Sequence, residues 1–264
     1  MSDRITVTEE NQIAYVRLSR PEKRNALDME MLEAISATGL ELAARKDIRA
    51  IVLHGEGQAF SAGLDLMAMP KLMQYVQEAG GIMKRSHGVS NLFQHVTMVW
   101  HEMPQPVICA LHGYAFGGAF QIMLGADIRI ATPDCQFSIM EGKWGLIPDM
   151  GGIALMRRLA RDDVMRRLTY TAEKFAACDA LSWGFVTELA EDPSARATAI
   201  AQDIVAKNPD AVRVAKEMFN RTELTDVAET LLIESELQGR LIGTPNQMEA
   251  VMAGMQKRLP VFKD

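Results

Sequence analysis

Two short stretches of small residues and two carboxylic acids are the parts of this sequence that could do chemistry. The first stretch, 60–65, reads FSAGLD, and the second, 113–118, reads GYAFGG. Turns built from small residues can leave backbone N–H groups free to polarise a carbonyl oxygen. Further along the chain, Glu141 and Asp149 bracket a Gly-Leu-Ile-Pro segment, and carboxyl groups beside a polarised carbonyl can move protons. The pattern predicts enolate chemistry on a thioester.

Composition limits the kinds of protein that this chain can be. Its 264 residues, 48% of them hydrophobic, suffice for one large domain or a main domain with a small appendage. The net charge of −6 argues against a nucleic-acid-binding surface, which usually carries a basic stripe. The three cysteines have no metal-like spacing and suit a reducing compartment. With no apolar leader or membrane-length apolar run, we expect a cytoplasmic protein without a membrane partner.

Short strands and helices alternate in the first half of the chain. Apolar alternation predicts a hairpin over 4–8 and 12–18, and short apolar runs predict strands at 50–54, 107–111, 127–131 and 136–139. Helical spacing predicts a helix that Asp28 caps and further helices over 89–102 and 118–125. The strands at 50–54 and 107–111 each lead into one of the small-residue stretches. This order predicts a layered α/β core that carries both turns at strand ends.

The second half of the sequence reads as helical. Helical spacing predicts segments near 152–160, 162–170, 195–207, 209–221, 225–241 and 245–257. Helices with so many exposed apolar positions favour burial against other subunits. Earlier in the chain, 67–82 is expected to be a mobile cover, and the stretch 66–104 is rich in methionine. Those methionines suit either ordinary core filling or a flexible wall for an acyl group.

Taken together, these motifs resemble the crotonase superfamily, which is also called the enoyl-CoA hydratase/isomerase family. The resemblance covers essentially the whole chain and rests on motifs that follow one another at family-like spacing. They are 20–27 (RPEKRNAL), 59–65 (AFSAGLD), 112–118 (HGYAFGG), 126–131 (ADIRIA), 137–152 and the tail over 257–264. One glycine-rich turn alone would be a weak signal, whereas the ordered set is specific.

The resemblance implies an α/β fold in which repeated β-β-α units form a spiral. A C-terminal helical segment then builds trimers, which often pair as hexamers. On this basis we expect residues 1–195 to form the spiral core with the acyl-CoA site. Residues 196–264 would serve oligomerisation and complete the CoA pocket. The partner would be an acyl-CoA thioester, and because coenzyme A is part of the substrate, neither a separate cofactor nor a metal is expected.

Two backbone amides hold the thioester oxygen in this family, and the matching motifs put them at Ala62 and Gly118. Small side chains at both positions would let a thioester approach. Gly118 also opens a predicted helix, whose N-terminus favours negative charge. Taken alone, the Gly-Gly pair at 117–118 would equally suit a tight turn from strand to helix.

Three positions in the family hold the reactive side chains, and here they are Gln121, Glu141 and Asp149. Glu141 matches the glutamate that hydratases and isomerases share. Gln121 replaces the second glutamate of a hydratase, and an amide cannot act as a base. Asp149 stands where typical hydratases have a small residue. The dienoyl-CoA isomerase branch has an aspartate at this position, eight residues after its glutamate, as here. That branch has an aspartate at the position of Gln121, so the match is incomplete.

This set of side chains favours moving a double bond over adding water. Glu141 would take a proton from one carbon, and Asp149 would return one at another. Enoyl-CoA hydration by Glu141 alone remains an alternative, as does simple isomerisation of a 3-enoyl-CoA by Glu141. A catalytically weak protein that binds acyl-CoA or acts as a scaffold is the alternative of another class. Asp149 could also be an ordinary turn residue.

The resemblance also suggests which residues contact coenzyme A. They lie in the loop before the first helix, in the first turn and in the C-terminal tail: Lys23, Arg24, Ala26, Gly63, Leu64, Asp65, Leu66, Phe262 and Lys263. A solvated charge cluster at 23–24 and a frayed tail are the simpler alternatives. None of the five histidines reads as the partner of a nucleophile. His112 is read as structural, and His87, His95 and His101 as too scattered for a metal site. Neither a serine-hydrolase elbow nor a dinucleotide fingerprint is found.

Overall fold

A six-stranded sheet lies at the centre of the computed structural model, which describes residues 3–264. Met1 and Ser2, part of the N-terminal stretch considered above, lie outside the described residues. The strands, in chain order, are β1 (Ile5–Glu10), β2 (Ile13–Leu18), β3 (Ala50–Gly55), β4 (Val107–Leu111), β6 (Ile128–Ala131) and β9 (Glu188–Leu189). They lie side by side in this same order, with β1 antiparallel to β2 and every later pair parallel.

A smaller sheet of three strands lies beyond the carboxyl ends of the large one. It consists of β5 (Tyr114–Phe116), β7 (Gln136–Ser138) and β8 (Phe175–Ala176), with β7 between the other two. The chain runs from β4 into β5 and from β6 into β7, so a strand of the large sheet is twice followed by one of the small sheet. A helix follows each time, which produces the spiral of β-β-α units that the family resemblance implied.

Eleven helices surround the two sheets in the described residues. They are α1 (Met29–Ala43), α2 (Met69–Glu78), α3 (Leu92–Glu102), α4 (Gly118–Leu124), α5 (Gly152–Met156), α6 (Asp162–Thr171), α7 (Ala177–Trp183), α8 (Pro193–Val205), α9 (Pro209–Arg221), α10 (Val227–Gly239) and α11 (Pro245–Met255). Short 3-10 helices span Pro21–Lys23, Leu66–Ala68 and Glu141–Trp144. The Asp28 carboxylate caps α1 as predicted, because it accepts from the Met31 N–H at 2.9 Å.

Side chains on both faces of the large sheet are buried, as is usual for parallel strands covered by helices. On β3, Ile51 and Leu53 face the main core, while Ala50 and Val52 face a second cluster on the other side. Helices α1 and α3 cover the first face. Helix α8 covers the second through its buried alanines Ala197 and Ala201.

The predicted α/β class is confirmed, and so are most of its elements. The short strands β5, β8 and β9 and the helix α7 were missed, because segments of two to seven residues are too short to show a period. The helix expected over 152–160 ends at Met156. The boundary expected at 195/196 falls inside α8, which packs on the sheet, so the appended helices begin with α9.

A buried lysine joins α9 to the core. The Lys216 ammonium donates to the carbonyls of Trp100 and Gln105 at 2.8 and 2.9 Å and to the Asp127 carboxylate at 2.8 Å. Asp127 also accepts from the Val107 N–H, at the start of β4. Between residues 3 and 264, no helix is both long and apolar enough to cross a membrane.

Replacing Lys216 with methionine is expected to lower the free energy of unfolding by about 3 kcal/mol. The substitution keeps the volume of the side chain but removes the donor to two carbonyls and one of the two donors to the Asp127 carboxylate. Urea unfolding followed by circular dichroism measures the change. Lys207→Met, at an exposed position just after α8, is the matched control, and a Lys216 variant as stable as that control would contradict this role for the lysine.

Candidate active site

The two small-residue turns lie side by side beyond β3 and β4. The Ser61 N–H donates to the Tyr114 carbonyl at 3.2 Å, and the Phe116 N–H donates back to the Ser61 carbonyl at 3.3 Å. Gly63 has a φ of +83°, and a Cβ at this residue would lie 2.3 Å from the carbonyl oxygen of Phe116. Because only glycine permits this approach, the small residues of the first turn are required for the two turns to meet.

The Ala62 amide differs from expectation, because its N–H already has an acceptor. It donates to the carbonyl oxygen of Arg24 at 2.9 Å. Arg24 and Asn25 both have a φ of 53°, which residues other than glycine seldom adopt. In this structure, therefore, the first turn does not leave the Ala62 N–H free. It could reach a ligand oxygen only by sharing or exchanging this bond.

Asn25 holds the loop 20–26 in this conformation, and sequence reasoning missed its role. Its side chain is fully buried, and its Oδ1 accepts from the Arg20 N–H at 2.9 Å. Its amide group donates to three carbonyls before and at the start of the first turn, those of Glu56, Ala59 and Phe60. The Asn-Ala pair at 25–26 of the RPEKRNAL motif was the available signal.

The second turn leads directly into α4. Gly118 is the first residue of that helix, so its N–H has no acceptor within the helix. A Cβ at Gly118 would lie 2.6 Å from the Met150 Sδ, and one at Gly117 would lie 3.6 Å from the Glu141 Oε1. The second turn thus lies against the segment that carries both acids. Phe120 anchors α4 by packing on the rings of Phe137, Phe175 and Phe185.

Gln121 connects α4 to both parts of the acid-bearing segment. Its Nε2 donates to the Glu141 Oε1 at 2.6 Å. Its Oε1 accepts from the backbone N–H groups of Met150 and Gly152 at 2.8 and 3.0 Å. The Gln121 side chain is fully buried, and the three bonds occupy both ends of its amide. Gln121 therefore orients Glu141 and fixes the chain immediately after Asp149.

The second oxygen of Glu141 is left free by this arrangement. Within the part of the chain that the structure describes, the buried Oε2 has no hydrogen-bond partner. Burial raises the pKa of Glu141 above its ordinary value, the bond from Gln121 lowers it in part, and the charge of Asp149 raises it again. Burial likewise raises the pKa of Asp149. Both carboxyls therefore hold protons more readily than exposed acids do.

Both acids line one cavity together with the two turns. The cavity has a volume of 290 Å³, close to the lower end of the usual range for ligand pockets. Its lining includes Ala62, Gly63 and Leu64 from the first turn, Gly117 and Gly118 from the second, and Glu141 and Asp149. Apolar side chains complete it, with Met69 from the methionine-rich stretch among them: Met69, Phe116, Met140, Trp144, Leu146, Ile147 and Met150.

The other residues expected to bind coenzyme A divide into two groups. Leu64 and Leu66 line the cavity, and Lys23 and Arg24 are exposed on the loop beside it. The Ala26 carbonyl and the Asp65 carboxylate are already engaged, because Arg20 donates to both at 3.0 and 2.8 Å. Asp65 also caps the 3-10 helix Leu66–Ala68. Its side chain therefore has a structural role in this structure.

Phe262 and Lys263 lie far from the cavity of their own chain. The Phe262 carbonyl accepts from Arg49 at 3.3 Å, and the Lys263 N–H donates to Asn246 at 2.9 Å. Arg49 immediately precedes β3, whereas the turn with Ala62 follows the carboxyl end of that strand. Because the tail and the turn lie at opposite ends of β3, the tail could complete a pocket only in a second copy of the chain.

Two of the histidines described as scattered lie together. The rings of His87 and His95 stack with centroids 4.3 Å apart, and the Ser36 hydroxyl contacts both at 3.3 and 2.8 Å. Burial lowers the pKa of His95 to about 4. Within residues 3–264, no group of three or more histidine, cysteine or acidic side chains is arranged to hold a metal ion. With Ser36, the pair is thus a packing contact that joins α1, α3 and the segment before α3.

Comparison with known proteins gives one family. A sequence profile described as enoyl-CoA hydratase/isomerase matches residues 8–264. The mitochondrial Delta(3,5)-Delta(2,4)-dienoyl-CoA isomerase of Mus musculus is 32% identical over 255 residues, covering 94% of this chain and 78% of that protein. The short-chain-enoyl-CoA hydratase of Clostridium acetobutylicum is 30% identical over 259 residues, covering 96% and 95%. A solved enoyl-CoA hydratase from Bacillus anthracis superposes with a TM-score of 0.88 at 26% identity, covering 98% and 99%.

Proposed function

Because the chain belongs to the enoyl-CoA hydratase/isomerase family, as its motifs predicted, we propose that it moves a double bond within an unsaturated acyl-CoA. The observation that carries this proposal is which of the three polar side chains around the cavity can exchange a proton with a substrate. Glu141 and Asp149 are ionisable and line it, whereas the Gln121 amide is occupied at both ends. Two acids suffice for proton transfer between two carbons, and Gln121 supplies no base for water.

The reaction would begin with removal of a proton from C2 of the acyl group by Glu141. The electron pair of the C–H bond moves into the thioester carbonyl, and the double bonds shift along the chain. The Gly118 N–H and the Ala62 N–H would hold the resulting oxyanion. Since Ala62 donates to Arg24 here, substrate binding would have to divert that amide from the Arg24 carbonyl.

The second step would return a proton at the far carbon. Asp149, protonated at the start, gives its proton to C4 of a 3-enoyl ester or C6 of a 3,5-dienoyl ester. The product is then the 2-enoyl or 2,4-dienoyl thioester, and proton exchange with solvent resets both acids. The raised pKa values of the two carboxyls support this scheme, because burial favours the protonated form of each, and the charge of Asp149 further raises the pKa of Glu141.

Hydration of a 2-enoyl-CoA by Glu141 is the second candidate. The free, buried Oε2 of Glu141 favours it, because that atom could bind a water molecule beside the substrate. Assays of the purified protein with 3,5-dienoyl-CoA, 3-enoyl-CoA and 2-enoyl-CoA in parallel separate the candidates. Absorbance of a conjugated 2,4-diene is the expected result. Turnover of the 2-enoyl ester alone would establish hydration, and binding without any turnover would favour a scaffold.

Replacing Gln121 with glutamate is expected to move the acid limb of the isomerase pH profile upward by about one pH unit or more. The new carboxylate can keep the bonds from Met150 and Gly152, but it lies 2.6 Å from Glu141 in place of a donor. The pKa of Glu141, already raised, therefore rises further. Since Glu141 must be ionised to act as a base, activity is lost at a higher pH.

The matched control for this prediction is Gln136→Glu, an exposed position on β7. The dependence of kcat on pH is measured for both variants and the parent protein. An acid limb that stays where the parent protein has it would show that Gln121 does not tune Glu141. Gln121→Glu also supplies the second glutamate of a hydratase, so hydration of 2-enoyl-CoA should increase in the same variant.

The chain would act as an oligomer in the cytoplasm, without a separate cofactor. Exposed apolar side chains on the C-terminal helices and tail support a homotrimer or a pair of trimers: Phe219, Leu224, Val227, Leu232, Ile242, Met255 and Leu259. The position of Phe262 and Lys263 supports it too, because they could reach only a neighbour's CoA pocket. Light scattering during size-exclusion chromatography measures the mass, and a monomer would contradict the proposed assembly.

A further inference from the structure

A second apolar cavity adjoins the one that contains the two acids. Its volume is 310 Å³, against 290 Å³ for the first. The two cavities have five lining residues in common: Leu64, Met69, Leu146, Asp149 and Met150. We call the second one the distal cavity. Because the walls are shared, a ligand whose thioester lies at the two turns can extend past Asp149 into it.

Hydrocarbon side chains form almost the whole wall of the distal cavity. Leu72, Met73 and Val76 line it from α2, and Phe93 lines it from α3. Among its described lining residues, only Asp149, at the junction, and Gln77 carry polar groups. A polar or charged acyl tail would therefore lose its hydration without gaining partners, whereas a hydrocarbon tail gains from burial.

The far end of the distal cavity is open to solvent. Met73 and Ile82 line it and are 59% and 42% exposed. A chain longer than the cavity could therefore continue between these side chains. Methionine adapts its shape to the group it contacts, which suits chains of several lengths. A compact ring, in contrast, would fill one cavity and leave the other empty.

From this continuity we propose that the acyl group is an unbranched hydrocarbon chain of medium to long length. Its reacting carbons lie beside Glu141 and Asp149, and its tail occupies the distal cavity. The proposal rests on the proposed function, because it places the thioester at the two turns. It names the substrate class and makes Val76 and Met73 determinants of chain length.

Binding of saturated acyl-CoA esters tests the substrate class without requiring turnover. Isothermal titration calorimetry with butanoyl-, octanoyl- and dodecanoyl-CoA, below their micelle-forming concentrations, should give a Kd that falls along the series. Burial of one methylene is worth about a fourfold change in Kd, so about a hundredfold or more is expected between the shortest and longest esters. Phenylacetyl-CoA should bind no more tightly than octanoyl-CoA.

Filling the distal cavity should remove the preference for long chains. Val76→Trp is expected to weaken dodecanoyl-CoA binding by about thirtyfold and butanoyl-CoA binding by less than about threefold. The matched control is Gln74→Trp, on the same helix but outside both cavities, which should keep the parent selectivity. Met73→Trp, at an exposed position, gives a second test if Val76→Trp does not fold.

The outcomes separate this inference from the proposed function. Equal affinity for short and long esters, or tighter binding of the phenylacetyl ester, would overturn the inference. Unchanged selectivity in both cavity-filling variants would do so as well. Selective binding of long esters, lost on filling the cavity, would support it even if no isomerisation were found. In that case the absence of isomerisation would contradict the proposed function but not the inference about the acyl chain.

Discussion

The Glu141→Gln variant is expected to lose at least about a thousandfold in kcat for isomerisation while its affinity for acyl-CoA changes little. Glutamine has the shape of glutamate, and its carbonyl oxygen can still accept from Gln121, as Oε1 does now at 2.6 Å. What disappears is the basicity of the group that takes the C2 proton. An effect on kcat without an effect on binding identifies an interaction made in the transition state.

Stopped-flow assays of the 3,5-dienoyl ester and calorimetry with a saturated ester measure the two quantities. Glu173→Gln removes an exposed carboxylate near the start of β8 and serves as the matched control, which should behave like the parent protein. If Glu141→Gln retained more than about a tenth of the parent rate, another group would be the base. If it no longer bound the saturated ester, Glu141 would be needed to form the pocket itself.

The sequence predicted the site as far as short motifs determine local backbone geometry. The small residues around Gly63 and Gly118 predicted two turns, and the structure brings these turns together. Glycine carries this information because a Cβ at Gly63 would overlap the Phe116 carbonyl, whatever the rest of the chain does. Element order was likewise readable, because alternating strands and helices favour one layered arrangement.

Contacts between side chains distant in sequence could not be predicted from short motifs. Gln121 was seen as a substitution that disfavours hydration. Its bonds to Glu141, Met150 and Gly152 depend on how α4 lies against a segment some thirty residues away. The bond from Ala62 to the Arg24 carbonyl depends on the buried amide of Asn25, in a residue type that usually lies on surfaces. No regular spacing of residue types in the sequence indicates either set of hydrogen bonds.

The stacking of His87 on His95 is another contact that the sequence did not predict. His87 and His95 are eight positions apart and were judged too scattered for a metal site, because only His95 falls within the helix predicted over 89–102. The capping of α3 by Asn91, whose backbone N–H donates in return to the Gln94 side-chain oxygen, sets where that helix begins. Only this start brings His95 beneath His87 and next to Ser36. Cap residues are visible in a sequence, but the contacts that they create across the fold are not.

The Asp149→Asn variant is expected to separate the two halves of the reaction. Isomerisation of 3,5-dienoyl-CoA should fall by about a hundredfold to ten-thousandfold, because asparagine cannot return a proton at C6. Removal of the C2 proton by Glu141 does not require that acid. In D2O the variant should therefore still exchange the C2 protons of the substrate, at a rate within about tenfold of the parent protein.

Proton NMR follows both events in one sample, since loss of the C2 signal reports exchange and new olefinic signals report isomerisation. Asparagine should fit without disturbing the chain, because within residues 3–264 no hydrogen bond between the Asp149 carboxylate and another side chain is found, and burial is the main cause of its raised pKa. Asp134→Asn, at an exposed turn before β7, is the control. Undiminished isomerisation would make Asp149 a turn residue. If the variant catalysed neither exchange nor isomerisation, Asp149 would help to hold the substrate. Exchange without isomerisation requires two acids with separate tasks, because a single base that served both carbons would lose or keep the two activities together.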